Sequence, residues 1–397
     1  MQIYAEKETG IVYVTANAVA SFARQKNADS SRLGFVPVAD DDGDAVVHTD
    51  VEAAVPAAAG EFSCQVTCVA DAVFFVGGTL VAEKQKTVRR ALSRVRPADD
   101  PALLAEAMLN AYLVASASAA EDVAVRLRFI HEKSGECAVY ESRFSRAVLQ
   151  RIFAEMFARA VPFIEVEAAR QTVGRRALAA LRFPYSSVRE GLRDFMEELY
   201  RCIHKRLRLL VSAPTGIGKT MSAVYPALRA VGDKSADRVF YFTAKTVTGN
   251  AALQAVRILG KQAEQLRCIR ITAKERVCPV RRQARDVVTN CRLCSYCGFF
   301  EGVSYEERRD RALLELLQGG NIYDTAEIEK TAEKYHLCRY ELSLDLSEYC
   351  EMIVFDYGYL FDPRVQFRRY FAEQRGEKYV FLIDEAHNLP DRAVDMY

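Results

Sequence analysis

The segment APTGIGKT, residues 213–220, combines residue types that could bind a phosphate group. It follows the apolar run LRLLVSA and precedes the helical pattern TMSAVYPALRAVG, which is the context that a phosphate-binding loop requires. Gly216 and Gly218 let backbone N–H groups turn toward the phosphates, and the start of the helix adds partial positive charge. Lys219 supplies a full charge, and the Thr220 hydroxyl can ligate Mg²⁺. The remaining residues of the predicted nucleotide-binding loop are Ala213, Pro214, Thr215 and Ile217.

A second charged group, LIDEAH at residues 382–387, ends the apolar run KYVFLIDE. A carboxylate at the carboxyl end of a strand, beside a phosphate-binding loop, can hold Mg²⁺ through water, and Asp384 has this position. Glu385 follows directly and could orient and deprotonate an attacking water. Together the two motifs predict phosphoryl chemistry on a nucleotide.

Five cysteines form a third candidate site: Cys278, Cys291, Cys294, Cys297 and Cys338. The first four have the spacing C-x12-C-x2-C-x2-C. Four thiolates can hold an iron–sulfur cluster or tetrahedral Zn²⁺, and a third interpretation is that these are ordinary core cysteines. The chain has 11 cysteines, unevenly placed, and in a reducing compartment this pattern favours a cluster or metal over disulfides.

The elements that must position these residues follow from hydrophobic patterning. Nearly continuous apolar runs predict buried parallel strands at LRLLVSA, RVFYFTA, CIRITA, MIVFDY and KYVFLIDEA. Helical patterns between them predict a doubly wound α/β sheet, and about 75 residues that hold the cysteines predict an inserted subdomain. Upstream, SSVREGLRDFMEELYRCIHKR predicts an amphipathic helix.

The amino-terminal part predicts a separate small α/β domain that ends near residue 170. The stretch AAVPAAAGEF is typical of a loop or linker, and FSCQVTCVADAVFFVGGTLVAEKQKT predicts a hairpin that turns at Gly77 and Gly78. Residues 101–117 predict a helix, RLRFIHEKSGECAVYESRF predicts another hairpin, and AVLQRIFAEMFARAVPFIEV predicts an amphipathic helix.

Composition narrows the class of protein. The 397 residues predict two or three domains, and the net charge of +1 means that a nucleic-acid surface must come from local clusters of basic residues. The sequence has no apolar stretch long enough for a membrane span, and its start lacks the pattern of a signal peptide. We therefore expect a soluble, cytoplasmic protein that does not bind a membrane.

Six segments carry a resemblance to a known family: APTGIGKT, FTAKT, ITAKERVC, CRYELSLDL, FDYGYLFDP and LIDEAHNL. Residues 181–397 resemble the first motor domain of the XPD/DinG-type superfamily 2 helicases. This resemblance implies a RecA-like domain that binds ATP, Mg²⁺ and single-stranded DNA. It also implies a [4Fe-4S] subdomain at residues 276–345 that could act as a wedge at a duplex junction.

The resemblance also implies roles for single residues. Lys219 and Thr220 take the Walker A roles, and Asp384, Glu385 and His387 take those of the DEAH box. The family's contacts with the DNA backbone and its adenine-side segment match four further residues: Thr243, Lys245, Thr246 and Arg189.

Departures from the family pattern accompany these matches. Leu192 stands where the family usually has glutamine, and Gly358 replaces a usual asparagine. The cluster ligands implied by the resemblance are Cys278, Cys291, Cys294 and Cys338, which leaves Cys297 as a spare thiol or a substitute for Cys294.

The segment CVADAVFFVGGTLVAEKQKT resembles, more weakly, the core hairpin of PD-(D/E)XK nucleases, which would make residues 1–170 a nuclease-like domain. Asp71 and Lys86 fit that pattern, but Lys84 stands at the position of a metal-binding carboxylate. Glu83 is one residue out of register and should face the other side of the strand, and Glu106 stands where glutamine is expected. We expect a degenerate DNA-binding or structural domain, with cleavage through Glu83 as the alternative.

Three functions from different classes follow from these patterns. The first is an ATP-dependent DNA helicase or translocase, the second a nucleotide-gated DNA-binding module, and the third a metal-dependent nuclease. The sequence stops at Tyr397, soon after LIDEAH. We therefore expect either that these residues are a fragment of a longer chain or that a partner supplies the second motor domain. Residues 1–397 alone should bind ATP and single-stranded DNA weakly, hydrolyse little ATP and unwind no DNA.

Overall fold

The computed structural model describes residues 3–6, 11–22, 33–39, 46–214, 216–243, 246–278, 305–363, 367–371 and 376–396. The chain divides into two compact units, Met1–Ala168 and Ala169–Tyr397. Within the described residues, no helix is both long and apolar enough to cross a membrane.

An eight-stranded mixed sheet forms the centre of the first unit. Its order is β1-β2-β5-β6-β7-β8-β3, and β4 pairs with β5 off this path. The pairs β2–β5 and β6–β7 are parallel, whereas the other neighbours are antiparallel. The strands are β1 Ile3–Ala5, β2 Val12–Thr15, β3 Val36–Val38, β4 His48–Ala59, β5 Phe62–Val76, β6 Thr79–Val88, β7 Asp122–His131 and β8 Cys137–Ser145.

Three helices accompany this sheet: α1 Ala16–Ala20, α2 Pro101–Ser118 and α3 Arg146–Ala169. Most of α2 is buried, and the Asp100 side chain caps it by accepting a hydrogen bond from the Leu103 amide at 3.1 Å. Both predicted hairpins and both predicted helices of this unit are confirmed, including the turn at Gly77 and Gly78.

The linker predicted at AAVPAAAGEF is wrong, because these residues belong mainly to strand β4. Ala53, Val55 and Ala59 are buried on one side of the strand, an alternation of period two that small side chains disguise in the sequence. Pro56 has no N–H to donate. It is tolerated because, among the described strands, β4 pairs only with β5, so no strand on the other edge of β4 requires a donor at this position.

The second unit is built on a parallel sheet of five strands in the order β11-β10-β12-β9-β13. The parallel arrangement confirms the predicted α/β fold. Strand β9 lies inside it and is buried at every position. The strands are β9 Arg238–Thr243, β10 Cys268–Arg270, β11 Ile322–Tyr323, β12 Met352–Asp356 and β13 Tyr379–Ile383.

Helices surround this sheet, and a π-helical turn, Arg170–Gly174, precedes the first of them. The described helices are α4 Arg175–Ala179, α5 Leu192–His204, α6 Lys219–Gly232, α7 Thr246–Gly260, α8 Lys274–Val277, α9 Tyr305–Gly319, α10 Thr325–Lys334, α11 Arg339–Ser347, α12 Gly358–Phe361, α13 Arg368–Phe371 and α14 Leu389–Met396. The amphipathic helix predicted around α5 is confirmed, since Leu192, Met196 and Leu199 are buried along one face.

One predicted strand of the second unit is wrong. Residues 207–213, LRLLVSA, have no regular structure, and Leu210 is 96% exposed. A strand needs hydrogen-bonding neighbours, and within the described residues β13 pairs only with β9. An apolar run alone therefore did not suffice to make this segment a strand.

Candidate nucleotide-binding site

The phosphate-binding loop leads directly into α6. Gly216 and Gly218 have φ angles of 76° and 112°, in a region that favours glycine. Gly218 is the residue immediately before the helix, and α6 begins at Lys219. This geometry places the amides of the first helical turn, with their partial positive charge, next to the loop. Thr215 lies outside the described residues.

The Lys219 ammonium group lies within the loop. It donates hydrogen bonds to the carbonyl oxygens of Ala213 at 2.9 Å and Pro214 at 3.1 Å. Both acceptors are neutral, so a phosphate oxygen would be a stronger partner for the same ammonium.

Arg189 supports the loop from the segment before α5. Its guanidinium donates to the carbonyl oxygen of Gly216 at 2.5 Å. A Cβ atom added at Gly218 would lie 3.5 Å from a methyl group of Leu192, the first residue of α5. Arg189, which the resemblance places on the adenine side, thus contacts the loop and positions its backbone, and Leu192 lies close to the loop.

The candidate magnesium ligand Asp384 follows strand β13. Its amide donates to the carbonyl oxygen of Phe242 at 2.9 Å, which continues the pairing of β13 with β9. The Tyr241 phenol of β9 donates to the Asp384 carboxylate at 2.6 Å, and the Tyr357 phenol donates to the Asp384 carbonyl oxygen. Burial, reinforced by the Asp384 charge, raises the pKa of Tyr241, so this phenol stays protonated as a donor.

Tyr241 also lies near the phosphate-binding loop. An interaction with the side chain of Thr220, the second residue of α6, partly offsets the rise in the pKa of Tyr241. The two proposed magnesium ligands, Thr220 and Asp384, therefore lie near one phenol. Their oxygen donors fit the chemistry of Mg²⁺, which protein sites bind through one or two carboxylates together with phosphates and water.

Glu385 adopts an unusual backbone conformation for its residue type, with φ 56° and ψ 41°. The amide and the side-chain amide of Asn388 both donate to its carbonyl oxygen, at 3.0 and 2.9 Å, and hold this geometry. The His387 ring lies 3.5 Å from the Glu385 carboxylate and is 74% exposed. Strained residues of this kind concentrate at functional sites.

Two of the five candidate cluster cysteines are described. Cys278 directly follows α8 and Cys338 directly precedes α11, and both are buried. The two helices are neighbours, since the Lys274 ammonium lies 5.4 Å from the centre of the Tyr340 ring. Three candidates lie outside the described residues: Cys291, Cys294 and Cys297. Within the described part of the chain, no group of three potential ligand side chains could hold a metal ion.

Two of the three residues predicted to contact DNA are described, and both lie around the end of β9. Thr243 is the last residue of the strand and is buried. Thr246 is the first residue of α7, and Lys245 lies outside the described residues.

In the first unit, the structure brings Asp71, Lys84 and Glu106 together, whereas Lys86 and Glu83 have other partners. Lys86 pairs with Asp100, the residue that caps α2. Glu83 is buried and pairs with Arg128 at 2.9 Å, on the other side of the strand from Lys84.

Sequence reasoning missed Tyr241 and Tyr357. A signal for Tyr241 existed, because it bears a hydroxyl within the apolar run of residues 239–242 inside the strand. Its partner could not be identified without the register that sets Tyr241 opposite Leu382.

Residues 245–397 match the model of the DEAD_2 family. The helicase subunit XPD of general transcription and DNA repair factor IIH from Arabidopsis thaliana is 25% identical over 243 residues, which cover 54% of this chain and 31% of that protein. A regulator of telomere elongation helicase 1 homolog from Caenorhabditis briggsae is 24% identical over 249 residues, which cover 53% of this chain and 24% of that protein.

Among solved structures, an XPD helicase aligns with a TM-score of 0.36 and 19% identity, covering 52% of this chain and 34% of that one. This chain spans about a third or less of the length of the curated relatives it matches. Residues 245–397 thus match the DEAD_2 family, and the chain is similar to helicases of the XPD type.

Proposed function

We propose that this chain provides the ATP-binding part of an ATP-dependent DNA helicase that moves along single-stranded DNA. One observation carries the proposal: the Tyr241 phenol donates to the Asp384 carboxylate at the end of β13, and the Thr220 side chain of the phosphate-binding loop is close enough to influence the pKa of the same phenol. A loop suited to phosphates and a carboxylate suited to Mg²⁺ therefore lie near one phenol. This pairing is what phosphoryl transfer from a nucleotide requires.

The proposed roles follow from the contacts. Lys219 would exchange its two carbonyl acceptors for phosphate oxygens, while Arg189 keeps the loop backbone in place through Gly216. Thr220 and Asp384 would hold Mg²⁺, which when bound neutralises phosphate charge. Glu385 would orient and deprotonate the attacking water, because it follows Asp384 directly and its backbone is held by Asn388.

We propose that DNA contacts the region where β9 ends and α7 begins, through Thr243, Lys245 and Thr246. Thr243 is buried at the end of β9, and the amides of the first turn of α7 suit a backbone phosphate. A second motor domain, from a longer form of this chain or from a partner, would complete the motor.

We also propose a [4Fe-4S] cluster held by Cys278, Cys338 and two of the three cysteines at 291, 294 and 297. Support comes from the buried positions of Cys278 and Cys338 at the ends of neighbouring helices. None of the eight described cysteines forms a disulfide.

The function is tested by separating nucleotide binding from hydrolysis. Glu385→Gln should bind a fluorescent ATP analogue about as tightly as the wild type, while DNA-stimulated hydrolysis falls by about 100-fold or more. Asp391→Asn, a nearby exposed carboxylate, is the matched control and should leave both unchanged. The assays include a separately expressed second motor domain. If ATP changes DNA affinity in its presence without hydrolysis, the protein is instead a nucleotide-gated DNA-binding module.

A further inference from the structure

Three charged side chains from three elements converge in the first unit. The Lys84 ammonium of β6 lies 3.0 Å from the Glu106 carboxylate of α2 and 3.4 Å from the Asp71 carboxylate of β5. The three side chains are between 17% and 30% exposed, so solvent screens them only partly. One ammonium therefore serves two sheltered carboxylates.

The backbone fixes Asp71 in this position. The pairing of β5 with β6 extends to Ala72 and Glu83. Beyond that point the Gln85 amide donates to the Asp71 carboxylate at 2.6 Å. The Asp71 carboxylate thus takes the place of a backbone carbonyl as the acceptor for the Gln85 amide. If Asp71 turned away from Lys84, the Gln85 amide would lose this hydrogen bond.

The charge of Lys84 is retained. Burial alone would lower its pKa, but hydrogen bonds and charge interactions with Glu106 and Asp71 outweigh burial and raise the pKa. The nearby Cys68 thiol does not add a third anion, since burial raises its pKa to about 12. The cluster therefore contains two carboxylates and one ammonium, with a net formal charge of −1.

We propose that the Lys84 ammonium stands in for a divalent cation between Asp71 and Glu106, so that this unit keeps the geometry of a metal site without binding a metal. Without the ammonium between them, the two carboxylates would repel each other and would attract a hard cation. With glutamate at position 84 and one divalent ion, the cluster would again have a formal charge of −1. A single substitution should therefore convert the internal ion pair into a divalent-cation site.

The test is a Mn²⁺ titration of the whole chain without nucleotide, followed by electron paramagnetic resonance. Lys84→Glu should bind one more Mn²⁺ per chain than the wild type, at least ten times more tightly than any wild-type site. Lys86→Glu is the matched control, since it makes the same charge change two residues further along β6, beside the single carboxylate of Asp100. It should bind no additional ion.

Two results would overturn the proposal. One is a Lys84→Glu protein that binds no more Mn²⁺ than the wild type. The other is a wild-type Mn²⁺ site, or Mn²⁺-dependent DNA cleavage, that disappears in Asp71→Asn.

A second variant covers the case in which Lys84→Glu does not fold. Lys84→Gln removes the ammonium but adds no carboxylate, so its melting temperature should be lower than that of the wild type and should rise with Mn²⁺. The melting temperature of the wild type should not respond to Mn²⁺ or to a chelator. A Lys84→Gln melting temperature that ignores Mn²⁺ would contradict the proposal.

Discussion

The phenol of Tyr241 donates a 2.6 Å hydrogen bond to the carboxylate of Asp384. Two parallel strands, β9 and β13, bring the two residues together. A hydrogen bond to a charged group contributes about 1.5–3 kcal/mol. Tyr241 is therefore a positioning residue for the proposed magnesium ligand.

Tyr241→Phe removes this hydrogen bond while keeping the ring. We expect the Mg²⁺ concentration needed for half-maximal binding of a fluorescent ATP analogue to rise about tenfold, because Asp384 loses its fixed orientation. Tyr323→Phe is the control, since Tyr323 is equally buried in the same sheet but donates to Gly320 instead. The same Mg²⁺ dependence in Tyr241→Phe and wild type would exclude the positioning role.

The importance of Tyr241 also shows where sequence reasoning stopped. The loop before α6 and the motif after β13 are local patterns, since the chemistry and the neighbouring element lie within about ten residues. The hydrogen bond between Tyr241 and Asp384 depends instead on the pairing of strands far apart in the sequence. Such a register is set by the whole sheet and leaves no local signature.

The two wrong secondary-structure predictions have a related cause. β4 contains small alanines and Pro56, whose composition suggests a linker, but its long pairing with β5 makes it a strand. The run LRLLVSA has a composition typical of a buried strand, but it pairs with no strand among the described residues. In both cases the presence or absence of a pairing strand determined the structure, and the intrinsic propensity of the residues did not.

Lys219→Ala should weaken ATP binding by about 30-fold or more. The substitution removes a full positive charge from the loop, and the loss of one partner of a hydrogen-bonded charge pair costs about 2–5 kcal/mol. Titration with a fluorescent ATP analogue measures the affinity. Lys378→Ala, which removes an exposed ammonium bonded to a backbone carbonyl of Lys234, should leave it unchanged. Equal affinity in Lys219→Ala and wild type would refute the loop assignment.

Protein purified without oxygen should be brown and contain about four irons per chain, the content of a [4Fe-4S] cluster. Cys338→Ser should lose most of the iron, because Cys338 is one of the proposed ligands. Cys350→Ser is the control, since Cys350 is fully buried in the same unit but is not a proposed ligand. Iron analysis and the visible absorption spectrum measure the result. Colourless protein with stoichiometric zinc would establish a zinc site instead.

The last prediction concerns the stability of the second unit. Glu351, 2% exposed, accepts from the Arg170 guanidinium at 3.3 Å and from the Arg267 amide at 2.7 Å. It thereby ties the turn before β12 to the turn before β10 and to the π-helical segment. A buried charge that loses its partner is strongly destabilising, by about 3–5 kcal/mol.

Glu351→Gln should therefore lower the free energy of unfolding by about 3 kcal/mol, at the lower end of that range because glutamine keeps one acceptor. Urea unfolding followed by circular dichroism measures the change, with the urea dependence checked for an unchanged slope. Glu315→Gln is the control, since Glu315 pairs with Lys334 on the exposed surface and should leave stability nearly unchanged. Equal free energies of unfolding for the two variants would show that other groups balance the charge of Arg170 when Glu351 is replaced by glutamine.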